Sequence, residues 1–132
     1  MSGRVNLRSV VLFTAGLVLL VVGTAGLTAP VAFHEASGIE VAADPGLLSE
    51  TRATGGVLLA AGVFLVLGAF VVRFAVTAAG VGAFGYLAYG LSRLIGMAVD
   101  GMPGSGLVMA AAVELSLALA CAYVLLRRRG GP

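Results

Sequence analysis

The residue types best suited to chemistry in this chain are Glu50, Arg52, Arg93, Asp100 and Glu114. Glu114 is the most telling, because it stands inside the otherwise apolar run 107–126, which is long enough to cross a bilayer. A carboxylate at that depth needs a partner or a task. Arg93 lies within a second apolar run, and Asp100 follows the end of that run. Glu50 and Arg52 stand at the opening of a third. An unpaired charge in hydrocarbon bears a large desolvation penalty, so an Arg93–Glu114 contact, with Arg52 as competitor or third member, is the natural resolution. Three roles are compatible with that constellation. It can be an ion pair that fixes helix order. It can be an outward-opening pocket, lined also by Thr54, Tyr86 and Tyr89, in which arginine holds the anionic part of a small amphiphile or lipid headgroup and the helix walls hold its apolar part. It can belong to a proton or ion route, although such a relay needs several connected sites.

The remaining reactive residues read as ordinary. His34 is the single histidine, and a metal there would need help from Glu35, Glu40 or Asp44, so a surface histidine facing water is expected. Cys121 is the single cysteine, which rules out an intramolecular disulfide and a cysteine metal cluster and leaves packing. Met97, Met102 and Met109 fall near one turn and suit packing better than copper binding. The glycines lack the strand-turn-helix context of a dinucleotide fingerprint, and there is no Walker loop and no serine, cysteine or histidine catalytic arrangement. No catalytic residue, no metal and no cofactor is expected, and the reading is of a non-enzymatic protein, with a small membrane enzyme or carrier for a lipophilic molecule as the alternative.

The elements that must position these groups are membrane spans. Of 132 residues, 60% are hydrophobic and only 11% charged, with a mean hydropathy of +1.10, so lipid must be part of the solvent. Pro30 stops the first run. The tract from Thr51 to Met97 would be roughly 70 Å long as one helix, against a hydrocarbon core of about 30 Å. It must therefore fold back, around Arg73 and the Thr77-Ala78-Ala79-Gly80 segment. The glycines and proline between Asp100 and Gly106 mark another turn. The expected fold class is all-α, a polytopic four-transmembrane-helix bundle forming a single membrane domain over 1–132, with spans 8–29, 51–72, 75–98 and 107–126 and a longer outer loop between helices 1 and 2. In that loop, Pro30 to Ser49, short surface-lying segments are expected to cover the outer end of the bundle, with a mobile loop as the alternative.

Charge sets an expected orientation. Arg4, Arg8, Arg73 and Arg127-Arg128-Arg129 fall at one end of such a bundle, and Glu35, Glu40, Asp44, Glu50 and Asp100 at the other. Positive-inside counting puts both termini in the cytoplasm and the chain in the inner (plasma) membrane as a multi-pass protein. The terminal arginines suit anionic headgroups rather than nucleic acid. The first run lacks the short apolar core and cleavage site of a signal peptide and is expected to be retained. Twenty glycines and many alanines suit helices that associate by close backbone approach. Ala110, Glu114, Ala118 and Ala122 share one face of span four, so Glu114 is expected to face protein. Span three offers Ala78 with Gly82 and Ser92 with Gly96, and span two Ala61, Gly62 and Gly68. Expected partners are membrane lipid and either another membrane protein or a second copy of the chain.

The run Glu50-Thr51-Arg52-Ala53-Thr54-Gly55-Gly56, the run Leu91-Ser92-Arg93-Leu94-Ile95-Gly96-Met97-Ala98-Val99-Asp100-Gly101 before Pro103, and Glu114 in the last span together resemble a family of small bacterial four-helix membrane proteins of unknown function. The resemblance covers nearly the whole chain and marks Glu50, Arg52, Gly55, Gly56, Arg93, Gly96, Asp100 and Glu114 as positions to test. More distantly, the chain is similar to DoxX-like four-helix membrane proteins, some of which are linked to oxidoreductase or membrane-partner complexes. There is no cysteine pair here to carry a redox activity over.

Overall fold

The computed structural model describes residues 6–129, with side chains through Arg127. Arg4 and the side chains of Arg128 and Arg129 lie outside the described residues. Five α-helices succeed one another: α1 Leu7–Thr28, α2 Pro30–Ala36, α3 Pro45–Phe70, α4 Ala75–Asp100 and α5 Ser105–Arg129, with a 3-10 turn at Val72–Phe74 between α3 and α4. Four helical segments are long and apolar enough to cross a membrane, Leu7–Thr28, Pro45–Phe70, Val72–Asp100 and Ser105–Arg127. The chain is therefore an all-helical bundle with the make-up of a multi-pass membrane protein.

Local chemistry explains where the helices start and stop. The Asn6 side chain accepts a hydrogen bond from the Arg8 amide at 3.2 Å and caps α1. Pro30 cannot supply the amide that would continue α1, but its fixed φ suits the first position of α2. α2 ends in a paired closure: the Ile39 amide donates to the His34 carbonyl and the Gly38 amide to the Glu35 carbonyl, with Gly38 at φ +76°. That reversal requires left-handed backbone, which glycine adopts without strain.

The connection after α2 is shorter than the loop expected over residues 30–49. α3 begins at Pro45 rather than at residue 51, because Asp44 caps it, accepting from the Leu47 amide at 2.9 Å, and Pro45 occupies the first helical position. The fold-back at Arg73 is likewise tighter than expected. It is complete within Val72–Phe74, and Thr77 to Gly80 already belong to α4.

The bundle is built from two tight antiparallel pairs, α1 with α3 and α4 with α5. α3 also meets α4 and α1 meets α5, whereas the α3 and α5 backbones stay apart across the bundle, so the helices run around it as α1, α3, α4, α5. The α1–α3 seam rests on four glycines. A methyl added at Gly16 would lie 2.9 Å from the Gly62 carbonyl oxygen, and one at Gly23 2.7 Å from the Gly55 oxygen. The relation is reciprocal, at 2.9 Å and 2.8 Å. On each helix the two glycines are two turns apart, so the backbones approach closely twice, with the Val66 side chain also against Gly16.

The α4–α5 seam is different, because there glycine receives a side chain: Gly82 accommodates the Cys121 thiol and Gly90 the Leu115 side chain. Two core clusters join the pairs. Leu12, Ala69, Ala75, Ala78, Ala79 and Val124 lie nearest the chain termini. Ala15, Leu65, Ala83, Tyr86, Ala118 and Cys121 lie above them. Beyond the level of Tyr86, toward the end carrying α2, the buried positions of the long helices fall within one pair: Gly23, Gly26 and Gly55 between α1 and α3, and Gly90 and Ala111 on α4 and α5.

Candidate functional site

Tyr86, Gly90, Arg93, Met97 and Asp100 recur at three- and four-residue steps and so share one face of α4, the face turned toward α5. α5 runs antiparallel to it and brings Glu114 to the same level. At about 1.5 Å per residue, Arg93 lies about 11 Å before the end of α4 and Glu114 about 14 Å after the start of α5. One turn deeper, the missing side chain at Gly90 lets Leu115 pack against the α4 backbone, which holds the helices close enough for the pair to meet.

Arg93 Nε donates to Glu114 Oε2 at 2.7 Å, with side-chain exposures of 30% and 15%. The distance is that of a charge-assisted hydrogen bond. It is the one salt bridge among the described residues. Its energetic weight is felt most when Arg93 is lost, because the short Glu114 carboxylate left alone at that depth has neither water nor counter-charge.

Nε is one of five guanidinium donors. The terminal nitrogens of Arg93 donate to no other described group. Arg93 instead borders a cleft of about 230 Å³ between the ends of α4 and α5, together with Gly96, Met97, Asp100, Gly101, Pro103 and Leu107. Gly96 keeps the wall open, since a methyl added there meets nothing within 4 Å. Gly101, at φ +102°, turns the chain out of α4. Asp100 is exposed at the rim.

The structure thus pairs Arg93 with Glu114 and sets it in the lining of the same cleft as Asp100, and it leaves the remaining sequence candidates elsewhere. Arg52 donates through Nη1 to the Leu27 carbonyl oxygen. It therefore satisfies one of the last free carbonyls of α1 and sets a positive charge at that helix C-terminus. It is not a third member of the Arg93–Glu114 pair, since its guanidinium is engaged by the Leu27 carbonyl and the ion pair holds Arg93 and Glu114 alone. Glu50 and Thr54 are exposed on α3 and do not line this cleft. Tyr86 is buried at 4% exposure in the core and its hydroxyl donates to the Ala15 carbonyl, so it ties α4 to α1 instead of lining the cleft. Tyr89 is half-buried on α4 and is also outside the cleft lining.

Two further polar contacts were not legible in the sequence. Ser9 Oγ donates to the Ala69 carbonyl at 2.9 Å, which closes the C-terminus of α3 as Arg52 closes that of α1. His34 does not simply face water: its Nε2 lies 3.0 Å from Thr51 Oγ1, whose hydroxyl donates to the Leu47 carbonyl at 3.0 Å. With the single hydroxyl proton committed to Leu47, His34 Nε2–H is the donor, and α2 is fastened to the first turns of α3. The α1–α3 glycines did leave a signal, since Gly16 and Gly23 repeat the seven-residue spacing of Gly55 and Gly62. Among the described residues, no group of three or more histidine, cysteine, aspartate or glutamate side chains could hold a metal ion.

Residues 7–125 match the family described as domain of unknown function DUF4345, and the chain belongs to that family. No curated protein matches the chain, and no solved structure does.

Proposed function

We propose that this member of the family is a non-enzymatic multi-pass protein of the inner (plasma) membrane that holds the polar headgroup of a membrane lipid or similar amphiphile in the α4–α5 cleft. Arg93 is the group that meets the headgroup, and Glu114 is a positioning residue. One observation carries the reading. Arg93 is anchored through Nε by Glu114, its terminal nitrogens donate to no other described group, and the residue lines an open cleft with apolar walls at Met97, Pro103 and Leu107. A guanidinium fixed in this way is pre-organised to give two parallel hydrogen bonds to a phosphate or carboxylate. Binding sites of this kind combine apolar walls with a few fixed polar groups.

The distribution of charge supports the orientation. Arg8, Arg73 and Arg127 occupy one end, while Glu35, Glu40, Asp44, Glu50 and Asp100 occupy the other. With the arginine-rich end in the cytoplasm, the cleft opens toward the outer leaflet. A redox role of the kind attached to the DoxX resemblance draws no support from the thiols, since Cys121 is single and packs against Gly82.

The test is native mass spectrometry of the protein extracted with its surrounding lipid. Wild type is expected to retain discrete lipid, Arg93→Gln to lose it, and Glu114→Gln to retain less, each with an unchanged helical circular-dichroism spectrum. A folded Arg93→Gln variant carrying the wild-type lipid complement would overturn the reading. So would a stoichiometric protein partner held in place of lipid.

A further inference from the structure

The cleft presents its charges in a definite order along the bundle axis. Asp100, negative, stands at the rim. Arg93, positive, lies about 11 Å deeper along α4 and lines the same cleft. Glu114, negative, lies behind Arg93 and neutralises it in part. The Asp100 carboxylate forms no ion pair and accepts no hydrogen bond among the described residues, so its charge is free to meet a cation at the rim.

A ligand bearing only an anionic group would find Arg93 attractive and Asp100 repulsive at the same opening. A ligand with an anionic group below and a cationic group above is complementary to both. Zwitterionic phospholipids have this order, with acyl chains deepest, phosphate next and amine outermost. Building on the headgroup reading above, we infer that the cleft selects a zwitterionic phospholipid whose amine is primary, that is, a phosphoethanolamine headgroup, with its phosphate on Arg93 and its ammonium on Asp100.

The preference for a primary amine comes from the lining. A primary ammonium offers three hydrogen-bond donors to a carboxylate, whereas a quaternary ammonium offers none and is recognised by faces of aromatic rings. The cleft residues Arg93, Gly96, Met97, Asp100, Gly101, Pro103 and Leu107 include no aromatic side chain. Met97, Pro103 and Leu107 stand between Arg93 and the rim and flank the methylenes of the headgroup. The acyl chains below the phosphate meet the exposed apolar side chains of α4, such as Leu87 and Leu91, which favours the lipid over the water-soluble headgroup.

The experiment titrates the delipidated full-length protein with phosphatidylethanolamine, phosphatidylcholine and phosphatidylglycerol of identical acyl chains, read by native mass spectrometry. Soluble glycerophosphoethanolamine serves as competitor. Wild type is expected to bind phosphatidylethanolamine roughly two- to fivefold tighter than either other lipid, the worth of one exposed ion pair. Asp100→Asn, a change at an exposed position, is expected to erase that preference while leaving phosphatidylglycerol bound at least as tightly. Arg93→Gln is expected to weaken all three. An unaltered lipid ranking in Asp100→Asn, or phosphatidylglycerol preferred by wild type, overturns the zwitterion assignment while leaving headgroup binding at Arg93 in place. Insensitivity of all three lipids to Arg93→Gln instead overturns the headgroup reading itself. Competition by the soluble headgroup at concentrations equal to the lipid overturns the lipid as its source.

Discussion

Two adjacent glycines on α3 face different environments, and the same substitution should be costly at one and nearly neutral at the other. A methyl at Gly55 would lie 2.6 Å from the Leu27 amide nitrogen, 2.8 Å from the Gly23 carbonyl oxygen and 2.9 Å from the Gly26 carbonyl carbon, all of them backbone atoms of α1. A methyl at Gly56 meets nothing within 4 Å. Ordinary contact begins at 3.4 Å, so Gly55→Ala must part the helices by roughly 0.8 Å at that point, and no side chain is there to swing aside. A gap of that width is too narrow for a lipid chain to fill and forfeits a quarter to a half of the dispersion energy of the atoms that line it. Overpacking of this kind costs about 1–3 kcal/mol, and the upper half of that range is expected here because only backbone can yield. The gain in helix propensity of alanine over glycine, up to about 1 kcal/mol in water, offsets little, since the dissociated helices remain helical in the membrane. Gly56→Ala carries the propensity term alone and should stay within about 0.5 kcal/mol of wild type. Unfolding of the two variants by SDS titration in mixed micelles, followed by circular dichroism, measures the difference. The double variant Gly23→Ala with Gly55→Ala should cost less than the sum of its parts, because the separation opened by one methyl relieves the other. Equal stabilities for Gly55→Ala and Gly56→Ala would refute the close-packed seam.

Loss of either charge at the ion pair should destabilise by about 1–3 kcal/mol, less than the cost for a fully buried pair because Arg93 is 30% exposed. The two losses are not equivalent. After Glu114→Ala the long Arg93 side chain can reach toward water, whereas after Arg93→Ala the short Glu114 side chain cannot, so Arg93→Ala should be the more damaging in the same SDS titration. Removing both partners should restore part of the loss. Ser9→Ala, which leaves the Ala69 carbonyl without its donor, should cost about 0.5–1.5 kcal/mol, checked by the same assay. In a Cys121→Ser background, Asp100→Cys and Arg127→Cys should react with a membrane-impermeant maleimide from opposite sides of the membrane. Labelling of both from one side would contradict a four-span topology.

The helical bundle was legible because its signals are local. Apolar runs, Pro30, the tract too long to cross once, and the glycines and proline after Asp100 each act within a few residues. The early start of α3 was local too, written in Asp44 capping ahead of Pro45, but the apolar content that marks a span begins later than the helix does. The Arg93–Glu114 pair could be anticipated because desolvation leaves a charge in an apolar helix few alternatives to an opposite charge at similar depth. The same reasoning also drew in Arg52, and there depth alone was insufficient. Arg52 stands on a helix diagonally across the bundle from α5, and its nearer partner is a backbone carbonyl at the end of α1. Backbone acceptors leave no mark in a sequence, which is also why Ser9 with Ala69 and Tyr86 with Ala15 were invisible.

What the sequence by itself determined is the solvent and the class of fold. Its hydrophobic content demands lipid, lipid demands satisfied backbone, and long apolar segments without strand punctuation satisfy it as helices. What only the tertiary structure decided is which helices are neighbours. Small residues are scattered over every span, and in lipid no apolar face is favoured over another by hydrophobicity. The choice falls to shape: glycine against glycine along α1 and α3, and glycine against cysteine or leucine along α4 and α5. That choice places Arg93 between Glu114 and the α4–α5 cleft and leaves Arg52 and Thr54 on the other pair.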